Sequence, residues 1–489
     1  ENLPTVQKKQ TQTNNIRDTL EKHMSQIRIL DTLTNTKKEL EFSDKVRIYL
    51  CGVTVYDQSH IGHARTIIIF DTLRKFLEAN SILVEFIQNF TDVDDKIISR
   101  AKEQGESANG LSSKYIQTYF EDSDRLNIKR ATNYPKATEH IEDMIDLIQK
   151  LVDKESAYTS KNGVYFRVSR FLDYGKLSKK KTDELESGAR IQVDESKESP
   201  LDFALWKFSD EQPCWESPWG KGRPGWHIEC SAMSIKYLGK NFEIHGGGRD
   251  LIFPHHENEI AQSESFTNEK FVKIWMHAGM ITINGEKMSK SVGNVKTISH
   301  VLDSWGPNVA RLFCVSGHYS KPIDYTEDLL KENLIKLRQI ETCYYELRLA
   351  EDTNNSEDIS ELVQDSRVKF DAALNDDFNT PLALSVFFNM IKNVNSLAAE
   401  EKITKNMSEK ALPVLEYMLD ILGLKIQTVS DEEIKSVFTL IKKRENLREQ
   451  KQFEEADKIR DEIASMGISL IDHKNRTVWM KKETIKAEK

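Results

Sequence analysis

The sequence predicts an α/β fold built on a parallel sheet, and three observations carry the prediction. Between residues 45 and 90 a strand-like, a helical and a second strand-like pattern follow one another. An alternation of the same kind returns after residue 225, and beyond Asp324 the pattern becomes almost entirely helical.

Each element has its own justification. The run Val46-Arg47-Ile48-Tyr49-Leu50-Cys51-Gly52 is a short apolar strand closed by a glycine turn. His60-Ile61-Gly62-His63-Ala64-Arg65 opens a segment with helical spacing as far as Glu78, and Val84 to Phe90 reads as another strand. Strand, helix, strand at this spacing is a βαβ unit, which joins parallel strands. Residues from about 97 to 155 are helix-rich, with Ile141, Met144, Ile145 and Ile148 at helical spacing. The stretch from about 160 to 224 is rich in Lys, Glu, Ser, Pro and Gly, with a hairpin-like piece from Gly163 to Val168, and reads as a partly mobile insertion. Phe242-Glu243-Ile244-His245 is then a strand, and His255 to Ser265 a helix. A last pair of helices ends at Gly467, a C-cap residue, and Ile468 to Lys482 alternates like a hairpin turning at Lys474-Asn475.

Composition narrows the class. Of 489 residues, 38% are hydrophobic and 30% charged, which suits a globular chain. No run approaches the roughly 18 apolar residues that span a bilayer, so no membrane is expected. The net charge of −9 gives no support to a broadly basic nucleic-acid binder but does not exclude binding through local basic surface, such as Lys179-Lys180-Lys181 and the Lys-rich end. Five dispersed cysteines point to a reducing compartment, and with no apolar leader in Glu1 to Met24 the cytoplasm is expected.

Two elements suit phosphate. In the first, a strand leads into a helix start where free N–H groups favour an anion, and His60 and His63 can donate hydrogen bonds to an α-phosphate. Gly62 between them leaves room for a nucleotide. In the second, Asn284 to Asn294 is a polar loop carrying Lys287 and Lys290, bracketed by glycines. His245-Gly246-Gly247-Gly248-Arg249-Asp250 follows a strand and belongs to the same pocket, with Asp250 able to accept from ribose hydroxyls. No Gly-x-Ser-x-Gly accompanies the glycines, so a lipase-type oxyanion loop is set aside. His255 and Glu259, at i and i+4, can share a metal, and Cys51 and Cys230 are further donors. Spacing alone does not make these four a zinc site, because no Cys-x-x-Cys pair is present.

The two phosphate elements, in this order, resemble the signatures of class I aminoacyl-tRNA synthetases. Tyr49 to Asp57, Thr91-Asp92-Val93-Asp94-Asp95-Lys96, Gly225 to Met233 and Phe253 to Gln262 resemble the cysteinyl branch of that family, from about Arg28 into the C-terminal helices. The resemblance implies a Rossmann-type parallel-sheet catalytic domain with an insertion, a helical-bundle anticodon-binding domain and a small C-terminal α/β domain. The corresponding boundaries are an extension at 1–23, the catalytic halves at 24–120 and 225–315, and a connective insertion at 121–224. A stem-contact and helical anticodon-binding region follows at 316–425, and an anticodon-recognition domain at 426–489.

The resemblance further implies catalysis by His60, His63, Lys287 and Lys290, and ATP contacts from Gly62, Gly247, Asp250 and Lys290. Thr54 and Trp226 are implied as substrate-binding residues, and Cys51, Cys230, His255 and Glu259 as ligands of one Zn²⁺ per chain. The implied activity is ATP-dependent, AMP-forming ligation of L-cysteine to the 3′-terminal adenosine of tRNA-Cys, with ATP entering as its Mg²⁺ complex and the chain a monomer. The zinc has a chemical rationale. Pocket shape separates cysteine from serine by only about 1–3 kcal/mol, whereas a metal-bound thiolate adds the missing selectivity, so no editing domain is expected. Arg460, Arg476 and Trp479 are candidates to meet the anticodon, Trp479 by stacking. Three other readings remain open: a ligase joining cysteine to a small amine, as in mycothiol synthesis; a zinc hydrolase built on His255 and Glu259; and a non-catalytic RNA-binding relative.

Overall fold

The computed structural model describes residues 27–181, 196–288, 293–352, 355, 357–474 and 476–488. The first elements are a hairpin, β1 (Arg28–Asp31) and β2 (Thr36–Glu39), then β3 (Lys45–Thr54), the helix Ile61–Ala79 and β4 (Leu83–Thr91). The helices Asp95–Gln104, Ala108–Arg125 and Ile141–Asp153 lead to four short strands: β5 (Ala157–Ser160), β6 (Gly163–Phe166), β7 (Phe203–Phe208) and β8 (Gly222–Pro224). The helix Trp226–Leu238, β9 (Phe242–Gly248), the helix Glu257–Thr267 and β10 (Val272–Ala278) come next. After β11 (Ile281–Ile283), β12 (Glu286–Lys287), the helix Ile298–Ser316 and β13 (Ile323–Tyr325) come the helices Glu327–Arg348, Ser360–Asn375, Thr380–Ala399, Lys405–Leu422, Asp431–Glu449 and Phe453–Ser465. A final hairpin joins β14 (Ile468–Asp472) to β15 (Thr477–Lys481).

The central sheet has the order β10-β9-β3-β4 and is wholly parallel. Its middle strand β3 has Ile48, Tyr49 and Leu50 fully buried, as expected of a strand covered by helices on both faces. The chain steps from β3 to β4 on one side and later returns to lay β9 on the other. Strand order reverses between β3 and β9, and the crevice at their C-terminal ends is where sheets of this kind hold ligands. At that end β3 is bulged: its register with β4 shifts between Leu50 and Val53. Gly52 makes the bulge feasible, since a Cβ there would lie 1.5 Å from the Asn89 carbonyl oxygen.

Three local findings differ from the sequence reading. The stretch from 160 to 224 holds more order than one hairpin, because β5-β6-β7-β8 form an antiparallel sheet. Its strands are short but bury Val164, Phe166, Leu205 and Trp206, a signal diluted in sequence by the polar residues around them. The part from 182 to 195 lies outside the described residues. Secondly, the helix expected from His255 begins at Glu257, and His255 lies within a single wide turn, Ile252–His256. Phe253 is extended, and Pro254 has no N–H to continue a regular ladder.

The third is a correction. Trp479 is fully buried, 5.7 Å from the Tyr345 ring, and is not available to stack on a splayed base. It anchors the β14–β15 hairpin to the helix Glu327–Arg348. The same helix carries the buried Glu346, which accepts hydrogen bonds from His473 and Arg476. Arg476 is therefore engaged within the chain, while Arg460 is exposed. Trp479→Ala is expected to cost about 3–5 kcal/mol through the cavity it leaves, read as a lowered thermal midpoint; an unchanged midpoint would rule out the anchoring role. Among the described residues no helix is long and apolar enough to cross a membrane.

Candidate active site

A cleft of about 410 Å³ opens at the ends of β3 and β9. Its walls include the start of the helix Ile61–Ala79, where His60 and His63 stack with ring centroids 3.7 Å apart and His63 Nδ1 accepts from the His60 N–H at 3.3 Å. The segment just beyond the second phosphate element meets the first through backbone: Ile61 N–H donates to the Lys296 carbonyl and Ile298 N–H to the Ser59 carbonyl, both at 2.9 Å. Met288 also borders the cleft, its Cε 3.3 Å from where a Gly62 Cβ would stand. Lys287 lies in β12, paired with Thr282, whereas Lys290 lies outside the described residues.

Thr54 and Asp250 also line the cleft, Asp250 on an exposed turn. Of the three glycines at the end of β9, Gly248 borders it. The space at the other two is taken by the protein itself. A Cβ on Gly246 would lie 2.1 Å from the Phe70 ring, and one on Gly247 would lie 2.8 Å from His256. Trp226 lines the cleft and lies against His255, with ring centroids 4.3 Å apart.

At the foot of the cleft the structure gathers Cys51, Cys230, His255 and Glu259, all buried, with potential ligand atoms within 4.8 Å of one another. Cys51 Sγ is 3.7 Å from Cys230 Sγ and 3.4 Å from Glu259 Oε1, which is 3.1 Å from His255 Nε2. Three separate segments supply these groups: the bulge of β3, the first turns of the helix Trp226–Leu238, and the turn and helix after β9. The donor set, two sulfurs, an imidazole and a carboxylate away from water, suits a borderline-soft divalent cation such as zinc.

The electrostatics point the same way. The hydrogen bond from Cys51 takes the Cys230 thiol down to about 6, with His255 assisting against burial. Burial pushes Cys51 up, reinforced by Cys230, so the two thiols share one proton. Burial opposes charge on His255, but Glu259 and Cys230 outweigh it and hold the imidazole up at about 10. Burial likewise opposes charge on Glu259, yet His245 and His255 keep it well below the usual carboxylate range. A thiolate and a carboxylate thus sit beside one imidazolium, and a divalent cation would displace the protons.

Sequence reasoning gave no role to the histidines behind this set. His227 Nδ1 is 2.9 Å from His255 Nδ1, and His245 Nε2 is 2.8 Å from Glu259 Oε2. His256 reaches Cys51 Sγ at 3.3 Å and His277 at 2.8 Å, and His277 continues to Thr32. Such outer partners fix the tautomer and orientation of metal ligands. Five of the chain's twelve histidines meet here, and the richness of histidine between 227 and 277 was the available signal. Cys51, His245, His256 and Glu259 form a second, overlapping donor set that shares two residues, Cys51 and Glu259, with the first.

Residues 37–334 match the family pattern described as tRNA synthetases class I (C) catalytic domain, and residues 369–427 match a DALR domain. Among curated proteins, the cysteine–tRNA ligase of Caldicellulosiruptor saccharolyticus is 46% identical over 456 residues, 91% of this chain and 98% of that protein. That of Thermococcus onnurineus is 46% identical, covering 93% of this chain and 98% of its own. Among solved structures, Mycobacterium tuberculosis methionyl-tRNA synthetase in complex with methionyl-adenylate aligns with a TM-score of 0.59 at 14% identity. That alignment covers 78% of this chain and 90% of the other, a likeness of fold alone.

Proposed function

The chain belongs to the cysteine–tRNA ligase family of class I aminoacyl-tRNA synthetases, and from that membership we propose that it charges tRNA with cysteine selected by a zinc-held thiolate. The observation that carries the zinc reading is the meeting of Cys51, Cys230, His255 and Glu259 at the foot of the cleft. Zinc held by these four would supply a soft Lewis acid that prefers thiolate sulfur to an alcohol oxygen. His227 and His245 hold the outer atoms of His255 and Glu259, so the donor set is oriented before substrate arrives.

The remaining chemistry falls to the walls. Trp226 and Thr54 close over the small side chain of the amino acid and exclude water. The cysteine carboxylate attacks the α-phosphorus of ATP in line, and pyrophosphate leaves. His60 and His63 donate hydrogen bonds to the α-phosphate as its charge grows, while Lys287 and Lys290 neutralise the departing pyrophosphate and its Mg²⁺ complex. Gly62 and Gly248 give room for the nucleoside, and Asp250 accepts from its ribose. A hydroxyl of the tRNA 3′-terminal adenosine then attacks the adenylate carbonyl and AMP leaves. Positioning and fixed dipoles supply most of the acceleration. The free thiols of the site accord with work in the cytoplasm.

The test is amino-acid-dependent exchange of pyrophosphate into ATP. Cysteine is expected to support it at least about 10⁴-fold better than serine, a ratio beyond the reach of pocket shape alone. Equal exchange with both would remove the zinc-selection reading. Charging of tRNA by the same sample separates this enzyme from a ligase that serves a small amine.

A further inference from the structure

The segment following β15 does not trail away from the molecule but is seated on the helix Ile298–Ser316. That helix breaks at Gly306, where φ is +74°. A Cβ at this glycine would lie 2.2 Å from Glu483 Oε1 and 2.7 Å from Ile485 Cδ1, so the break is the seat. Asn308 Nδ2 donates to Glu483 Oε2 at 2.7 Å and to the Lys425 carbonyl at 2.8 Å, tying the segment to the link between the helices Lys405–Leu422 and Asp431–Glu449. Glu483 N–H donates to Glu341 Oε1 at 3.0 Å, Arg338 donates to the Glu483 carbonyl at 2.9 Å, and Ile485 is buried. Burial lifts the Glu483 carboxyl to about 7. These contacts hold down a stretch rich in polar residues, which exposure alone would leave loose.

What the seat delivers is Lys486. It lies in a short turn, Lys486–Glu488, and with Ala487 forms one wall of a cleft of about 570 Å³. The opposite walls carry Lys296, His300 and Lys331, with Glu327 as the acidic residue of the lining. Three lysines against Glu327, which lies 3.9 Å from Lys331, and the neighbouring Asp303, which pairs with Arg125 and also faces Lys486, leave this a locally basic cleft in a chain of net charge −9. It lies between the segment that joins the helix start at His60 and the helix that carries the β14–β15 hairpin.

We propose that the segment Glu483–Ala487 completes a phosphodiester-binding cleft, in which Lys486, Lys296 and Lys331 grip the tRNA backbone between the active site and the C-terminal hairpin. This rests on the tRNA-charging reading. Glu483 is a positioning residue here, acting through the lysine three residues on.

The experiment measures tRNA charging over a range of salt, beside cysteine-dependent pyrophosphate exchange, for the full chain and three variants. Lys486→Gln is expected to raise KM for tRNA about fivefold and to reduce the slope of log KM against log salt by about one, the loss of a single phosphate contact. Glu483→Ala, which releases the seat, is expected to reproduce both changes. Glu483→Gln keeps an oxygen facing Asn308 and is expected to stay within about twofold of the parent, since an uncharged side chain suits a buried acceptor. Exchange is expected to be the same in all four. An unaltered KM and salt slope in Lys486→Gln would overturn the proposal. So would a loss of exchange parallel to the loss of charging, because that marks a segment that merely props the fold. Absence of exchange in the parent would instead count against the underlying function.

Discussion

Serine in place of Cys230 is expected to leave the folded chain without bound zinc and to reduce cysteine-dependent exchange by about two to three orders of magnitude. Structural zinc sites bind with roughly 10–16 kcal/mol, so one ligand of four accounts for about 2.5–4 kcal/mol. Cys230 is the thiol that ionises first in this cluster, held down to about 6 by its hydrogen bond from Cys51. A serine hydroxyl has nearly the same shape, so the helix Trp226–Leu238 should pack unchanged, but it does not ionise near neutral pH and is a poor partner for a soft cation. Zinc content by atomic absorption and the far-ultraviolet circular dichroism of the same sample are the paired readouts. A variant that keeps its zinc, or one that loses zinc and still activates cysteine normally, would contradict the assignment of this cluster to substrate selection.

Replacing His63 by asparagine is expected to lower kcat for adenylate formation by about 10²–10³-fold while leaving KM for cysteine within about threefold, as removal of a transition-state donor does. The geometry makes the split sharp. His63 lies on the first turn of the helix Ile61–Ala79, whereas the cysteine side chain is assigned to the foot of the cleft with Cys51 and Cys230. Steady-state exchange at saturating ATP separates the two constants. A rise in KM for cysteine with kcat unchanged would place His63 on the amino acid rather than on the phosphate.

Much of this architecture was legible because its signals are local. The βαβ unit from Val46 to Phe90 shows in hydrophobic period alone, and β3, its helix and β4 occupy those positions. The hairpin expected between Ile468 and Lys482 is present as β14 and β15. Family resemblance added what spacing could not, since Cys51 and Cys230 have no nearby partner in the chain. The less legible features depend on tertiary packing. Trp479 resembles an exposed base-stacking residue in sequence, and its burial depends on Tyr345, which belongs to a different helix. The glycine run that ends β9 looks like room for a ligand, whereas Phe70 and His256 fill two of its three positions. The histidines behind the candidate metal ligands come from elements spread over 51 residues, and their hydrogen bonds form only when the helix Trp226–Leu238, β9, the turn after it and β10 are packed together.

The reversal of strand order has a consequence for how the chain is made. Ile48 of β3 pairs with Ile244 of β9, so the inner edge of β3 must wait for nearly two hundred residues of later chain. At roughly 5–20 residues per second that interval lasts on the order of 10–40 s on the ribosome. Throughout it a strand with the apolar run Ile48-Tyr49-Leu50 at its middle offers unpaired N–H and carbonyl groups to any neighbour. The antiparallel sheet β5-β6-β7-β8 can form within that time from contacts close in sequence, while the cleft, whose Cys51 and Cys230 stand near the two ends of that interval, is among the last parts of the catalytic unit to exist.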